Sequence, residues 1–290
     1  MVRYEGAMFR PPSEADAFIL QATIGCSWNH CTYCAMYRDK SFRVRPESEL
    51  VAEIRAVAQA CGDEVTKVFV ADGDALVMPT ELWLRLLAEC RAAFPRLKRV
   101  SCYAMARNVM AKSAPELAAL RLAGLRLLYL GPESGDDETL RRVAKGDDFE
   151  CHVEAARKAR AAGLKLSVIA LLGIGMERSH EHAEATARLV TEMDPRFFSA
   201  LTLTVVPGTP LHRLSVTGRF RVATQSDLLG ELRTMVDLAR PTDAIFRTNH
   251  ASNYLTLEGR LPKDRGLLLE AIDQALRGDR PMRPEWARGL

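Results

Sequence analysis

Ala17-Phe-Ile-Leu-Gln-Ala-Thr-Ile24 runs, through a single glycine, into Cys26-Ser-Trp-Asn-His-Cys31-Thr-Tyr-Cys34. The apolar first half reads as a strand, and three thiols follow directly after its end. The order of strand, distinctive loop and helix recurs outward from this stretch. A helix from about Glu47 to Ala60 closes at Cys61-Gly62, where glycine suits a left-handed residue. Lys67-Val-Phe-Val-Ala71 is the next strand. Its helix, near Glu81 to Phe94, has Thr80 as N-cap candidate and places Trp83, Leu86, Leu87, Cys90 and Phe94 on one face. Arg99 to Ala104 is a third strand, followed by the capping box Ser113-Ala-Pro-Glu116 of a helix that ends at Gly124. Leu125 to Leu130, Leu164 to Leu172 and Phe197 to Val206 supply three more strands. Helices near Asp137 to Val143, Glu150 to Ala162 and Ser179 to Met193 lie between them.

Six strand-then-helix units imply parallel strands joined by right-handed crossovers, because only a long connection returns a chain parallel to itself. A doubly wound open sheet satisfies the same alternation. A partial (β/α)6 barrel is preferred, since the distinctive residues fall just after strands, where barrel active sites lie. The expected layout is an N-terminal arm over 1–16, the partial barrel over 17–210, and a C-terminal helical extension over 211–290 that covers the barrel.

Composition sets the class. About half of the 290 residues are apolar and 27% are charged, the balance of a globular protein. Forty basic against thirty-seven acidic residues concentrate nowhere except near the end, at Arg277, Arg280, Arg283 and Arg288, where a solvated tail is expected. There is no clear nucleic-acid signal. The start lacks the pattern of a secretory signal, and the longest apolar stretch, near Leu166 to Met176, is too short for a bilayer. A cytoplasmic location without membrane attachment is expected, and an odd count of seven cysteines argues against a disulfide framework.

Three thiolates on one short loop can hold three corners of an iron–sulfur cubane and leave the fourth iron open. A structural zinc site wants four ligands, and His30, directly beside Cys31, makes an awkward fourth. A redox pair of Cys31 and Cys34 leaves Cys26 idle. A non-enzymatic metal-binding interaction module is the alternative outside catalysis. Cys61, Cys90, Cys102 and Cys151 form no second compact group. Cys90 on an apolar helix face and Cys102 in a strand read as small hydrophobes.

The cysteine segment resembles the cluster loop of the radical S-adenosylmethionine (SAM) superfamily, with four residues in the first gap where three are usual. The resemblance implies a radical SAM partial barrel, a [4Fe–4S] cluster on Cys26, Cys31 and Cys34, and SAM on the open iron. It also implies a low-potential electron donor of flavodoxin or ferredoxin type and a substrate that the sequence does not name. Tyr33 matches the aromatic residue that lies near the adenine in that family. Val70-Ala-Asp-Gly-Asp74 resembles the Gly-Gly-Glu segment that holds the SAM amino group, which implicates Asp72, Gly73 and Asp74. Taken alone, Asp-Gly-Asp reads as a turn.

Leu130-Gly-Pro-Glu-Ser-Gly-Asp136, with Lys145 and Gly146 beyond it, is similar to the fourth-strand segment of the methylthiotransferase and oxygen-independent coproporphyrinogen oxidase branch, which implicates Glu133 and Ser134. By local pattern Glu133 equally reads as a cap of the next helix. Leu171-Leu-Gly-Ile-Gly175 resembles the adenine-lining fifth strand, with Gly173 and Gly175. As a dinucleotide fingerprint it is broken, because Arg178 stands where the third glycine belongs. A methylthiotransferase-like or porphyrin-decarboxylating enzyme is the alternative within the class. The extra cluster, cobalamin and RNA-binding domains of some relatives are not expected.

In the extension, a helix from Thr224 to Leu238 and the apolar Ala244-Ile-Phe246 precede Arg247-Thr-Asn-His-Ala-Ser-Asn-Tyr254, with a final helix near Lys263 to Leu276. This polar segment is expected to line or cover a substrate pocket, with His250 and Asn253 as candidate substrate residues, because a radical needs screening from water. A capped turn with a structural histidine is the competing reading.

Overall fold

The computed structural model describes residues 2–289 and divides into two compact units. Of these residues, one unit comprises 2–29, Met36–Leu130 and Arg157–Leu166, the other His30–Ala35, Gly131–Ala156 and 167–289. In each unit, helices alternate with most of the strands.

In the first unit, strand β1 (Phe18–Gln21) precedes β2 (Thr23–Ile24), which pairs antiparallel with β3 (Arg43–Val44). The single expected first strand is thus two short ones. Helix α1 (Glu47–Cys61), β4 (Lys67–Ala71), α2 (Thr80–Ala93), β5 (Arg99–Ala104), α3 (Ala106–Ala111), α4 (Ala114–Ala123) and β6 (Leu125–Glu133) follow. The sheet order here is β1-β4-β5-β6, and every pairing is parallel. Such strands are covered on both faces and read as nearly unbroken apolar runs, as Val68, Phe69 and Val70 do. Trp83, Leu86, Leu87, Cys90 and Phe94 are all buried, as their helical spacing requires.

The caps follow the sequence in part. Ser113 and Glu116 form the expected box, and Gly124 takes a positive φ of 123°. Thr80 does not cap α2. It is the first helical residue, and its hydroxyl donates to Glu116 at 2.6 Å instead. Gly62 is right-handed at φ −54° and leads into a short 3-10 turn. Its missing side chain answers a different need, since a Cβ there would stand 3.1 Å from the Ala93 carbonyl oxygen.

Residues 2–16 are tied in by polar contacts. The Tyr4 hydroxyl donates to the Ile19 carbonyl at 3.1 Å. Glu14 is fully buried and accepts from Arg99 at 2.7 Å, Ser101 at 2.9 Å and Tyr129 at 2.6 Å. A buried carboxylate needs such donors to replace the water that it gives up.

The second unit carries α5 (Asp137–Arg142), the first part of α6 (Phe149–Ala161) and most of β7 (Lys165–Leu172). It continues with α7 (Ser179–Met193), β8 (Phe197–Thr202), α8 (Pro210–Val216), α9 (Gln225–Leu238), β9 (Ala244–Arg247), β10 (Glu258–Leu261) and α10 (Arg265–Arg277). Sheet order is β7-β8-β9-β10, parallel until the last, antiparallel pair. The extension is therefore not purely helical, because β9 and β10 prolong the sheet. Phe198 and Phe246 lock β8 to β9, with ring centroids 5.4 Å apart. Helix α9 packs between α7 and α10.

The end of the chain departs from the expected solvated tail. Arg277 is exposed and pairs with Glu270 and Asp279, but Arg283 and Arg288 turn inward. The Arg283 guanidinium donates to the carbonyls of His250, Ala251 and Asn253 at 2.9–3.0 Å. Arg288 donates to the Ser252 carbonyl at 2.8 Å and stacks 3.9 Å from the Tyr254 ring centroid. Two arginines thus serve a loop whose carbonyls lack a ladder partner, a need that no residue spacing advertises.

Candidate active site

The residues singled out by sequence gather into three groups. Within the first unit, β1 and β4 run parallel and bring Gly25, Cys26 and Ser27 against Asp72-Gly73-Asp74. The Asp72 carboxylate is completely buried and pairs with Lys40 at 2.8 Å. It also accepts from the Gly25 amide at 3.2 Å and from Gln21 at 3.3 Å. The Gly73 amide donates to the Gly25 carbonyl at 3.0 Å. A Cβ on Gly73 would lie 2.6 Å from the Cys26 Cβ, so only glycine permits this approach.

Asp74 is fully buried and accepts from the Ser27 amide at 2.8 Å and its hydroxyl at 2.5 Å. Asn108 of α3 adds a weak contact at 3.4 Å. Burial pushes the Asp74 carboxyl up, and its hydrogen bonds from Ser27, Asn108 and Cys26 pull it back. The neighbouring Arg107 stacks 3.9 Å from the Trp28 ring centroid. Both aspartates therefore fasten the start of the cysteine segment. Replacing Asp74 with Ala should cost about 1–3 kcal/mol, the loss of hydrogen bonds to a buried charged acceptor. Urea denaturation checks the cost. Metal retention should fall with it, and an unchanged midpoint would remove Asp74 from this role.

Within the second unit, the Thr32 amide donates to the Val143 carbonyl at 2.9 Å, and the Leu211 amide donates to the Thr32 carbonyl at 3.0 Å. The cysteine segment from His30 is thereby tied to the residues after α5 and to α8. Glu133 ends β6 at φ +70° and pairs with Lys145 at 3.1 Å. Asp136, not Glu133, caps α5, accepting from the Thr139 amide at 2.9 Å. The Lys145 ammonium also lies 3.4 Å from the Tyr33 hydroxyl. Burial opposes the ammonium, but Glu133, Cys31 and Cys34 outweigh it and hold the lysine above its usual value. Burial and then Glu133 push the Tyr33 phenol well up. Lys40 and Lys145 escaped the sequence reading as site residues, because their partners stand 32 and 12 residues away.

Ser134 lies against α7. It is fully buried, its hydroxyl 2.7 Å from His182 Nδ1, and it accepts from the Asp136 amide at 3.0 Å. Gly173 turns the chain after β7 at φ +84°. Gly175 leaves no room for a side chain, because a Cβ would meet that of His182 at 2.6 Å. Arg178, in the place of a fingerprint glycine, pairs with Asp136 through two contacts of 2.8 Å.

The third group is the late polar segment. Asn253 is buried and largely saturated, donating to the Ala200 and Thr248 carbonyls at 2.8 and 3.0 Å and accepting from Thr202 at 2.9 Å. Nδ1 of His250 accepts from the Ser252 amide at 3.1 Å, and burial pulls this histidine down. Thr202, Thr248, Asn253 and Tyr254 border an open cleft of about 260 Å3, solvent included, with leucines from β7 and α9 on its other sides.

Among the described residues no three His, Cys, Asp or Glu side chains stand as a ready metal site. Cys26, Cys31 and Cys34 are half-buried and outside any disulfide. Burial pushes the Cys90 thiol up to about 12 and raises Cys102 too, as expected of core cysteines. No helix among the described residues is long and apolar enough to cross a membrane.

Residues 20–190 match the Radical SAM superfamily, and the chain belongs to it. The members are enzymes that use a [4Fe–4S] cluster and SAM, and the fold is the mixed α/β, partial-barrel type. Among solved structures, methylornithine synthase (PylB) is similar at 17% identity and a TM-score of 0.57, over 88% of this chain and 68% of that one. The methyltransferase TsrM from Kitasatospora setae, a structure with cobalamin and a [4Fe–4S] cluster bound, is 20% identical with a TM-score of 0.56, over 72% of this chain and 41% of that one. Coproporphyrinogen III oxidase (HemN) from Escherichia coli is 16% identical with a TM-score of 0.56, over 76% and 51%. At such identities these likenesses concern the fold alone. The sequence matches no curated protein.

Proposed function

We propose that the chain is a radical SAM enzyme in which Cys26, Cys31 and Cys34 hold the cluster and an unidentified substrate loses a hydrogen atom. The observation that carries this reading is the convergence of Glu133, Lys145 and Tyr33 beside the Cys31 and Cys34 sulphurs. It joins two segments that resemble the family separately. When bound, the cluster and SAM supply an electron and a cleavable carbon–sulfur bond, whose rupture gives methionine and a 5'-deoxyadenosyl radical.

The protein supplies position. Asp72 and Asp74 fix the entry to the cysteine segment, and Gly73 lets Cys26 approach the end of β4 closely. Glu133 and Lys145 offer a carboxylate and an ammonium, complementary to the amino and carboxylate ends of SAM. Tyr33 and the Gly173–Gly175 turn offer surfaces for the adenine. Residues 17–210 hold the chemistry, and 247–254 of the extension screen it, with His250 and Asn253 on the substrate side. The electron comes from a low-potential donor of flavodoxin or ferredoxin type, in the cytoplasm.

Anaerobically reconstituted protein, given dithionite and SAM, should release 5'-deoxyadenosine and methionine in equal amounts. Protein that carries zinc and leaves SAM intact would overturn the reading. Since the family consists of enzymes, the interaction-module alternative falls away.

A further inference from the structure

Helix α9 sends one carboxylate into the turn after β7. Glu231 is 3% exposed, and its two oxygens are divided between two segments. One accepts from the Gly173 amide at 2.6 Å, the other from the Ser179 hydroxyl at 2.6 Å, at the first residue of α7. His182, one turn further along α7, has its Nε2 3.7 Å from Glu231 and its Nδ1 2.7 Å from Ser134, the residue after Glu133. A single acidic side chain from the extension is thus hydrogen-bonded to the turn after β7 and to the start of α7, and it lies beside His182.

Gly173 has no side chain, and a Cβ there would come within 2.9 Å of Leu228 and 3.2 Å of Ala223, so α9 lies against bare backbone. A carboxylate is an acceptor at both oxygens and suits two donors from different segments. Keeping it buried is costly, and burial raises the Glu231 carboxyl to about 7 while pulling His182 down to about 4. Apolar filling of the same space would avoid that cost but would leave the Gly173 amide without a partner.

We propose that Glu231 is a positioning residue for SAM, fixing the Gly173 turn so that its backbone presents a rigid surface to the adenine. The inference rests on the reading of Leu171–Gly175 as the adenine-lining segment. It assigns the extension a part in cofactor binding as well as in substrate screening.

The test compares Glu231→Ala and Glu231→Gln with wild type as anaerobically reconstituted holoenzymes. The readouts are iron content, hydrogen exchange over residues 171–179, and binding of SAM, 5'-deoxyadenosine and methionine. Iron should be unchanged. Glu231→Ala should speed exchange at the turn and weaken SAM and 5'-deoxyadenosine alike, by about tenfold, as for one hydrogen bond to a charged group. Methionine, which lacks the adenine, should bind as before. Glu231→Gln retains an acceptor for Gly173 and should restore both readouts to within about twofold. If Glu231→Ala fails to fold, Glu231→Asp, which shortens the reach by one methylene, carries the same expectation. Unchanged exchange and affinity overturn the assignment, as does an equal loss for all three ligands. Faster exchange in a series in which even wild type binds no SAM overturns the functional reading while leaving the Gly173 anchor in place.

Discussion

A variant with Cys26, Cys31 and Cys34 all replaced by Ala is expected to take up no cluster iron, where wild type should hold about four irons per chain. The other four cysteines offer no substitute. Thiolate is the form that binds metal, and burial pushes the Cys90 and Cys102 thiols up, away from it. Cys61 is exposed at the end of α1, and Cys151 lies on α6. Because Asp74 and Asp72 hold the loop from the β4 side, the variant should remain folded, which circular dichroism can verify. The measurement is iron and sulfide content with the visible absorption after anaerobic reconstitution. A cubane that still assembles on the triple variant would falsify the ligand assignment.

Removing the charge of Lys145 should be the most destabilising single change in the site. Lys145→Met leaves the Glu133 carboxylate, only 12% exposed, without its cation and near two sulphurs that also favour positive charge. Breaking a buried pair from one side costs about 3–5 kcal/mol, whereas removing both charges can be nearly neutral. The double variant Lys145→Met/Glu133→Gln should therefore recover most of the loss. Urea denaturation of the metal-free forms gives the two midpoints. A single-variant cost below about 1 kcal/mol, the scale of an exposed pair, would mean that the site is wetter than its packing indicates.

Most of the fold was legible because parallel strands and their helices announce themselves locally. Lys67–Ala71 and Arg99–Ala104 coincide with β4 and β5, since each is an apolar run flanked by turn or charged residues. The Ser113–Glu116 box sets the start of α4 through contacts three residues apart. What escaped were short or sparse elements. Helix α3 has six residues and no period to read, and Glu258-Gly-Arg-Leu261 becomes β10 only because β9 is there to pair with it. Strand β6 runs three residues past the expected Leu130, because Gly131-Pro-Glu133 carries no alternation.

The candidate residues of the two units divide along the same line. The cysteines and the loops after β4, β6 and β7 are contiguous motifs, and the sequence displays them. Their supports are not contiguous. Lys40 for Asp72, Lys145 for Glu133 and Glu231 for Gly173 are single charges brought from elsewhere. A charge whose partner is remote resembles any solvated surface charge until the fold supplies the neighbour.

The contacts of Arg283 and Arg288 also bear on when the loop that they fasten becomes complete. Residues 283–289 are synthesised after everything they fasten, and domains assemble broadly in the order in which they leave the ribosome. Until Arg283 and Arg288 arrive, the His250 carbonyl has only the Asn253 amide, and the carbonyls of Ala251, Ser252 and Asn253 lack their guanidinium donors. The loop beside the cleft is thus finished only once residues 283–289 have left the ribosome, so that translation itself delays closure of this edge.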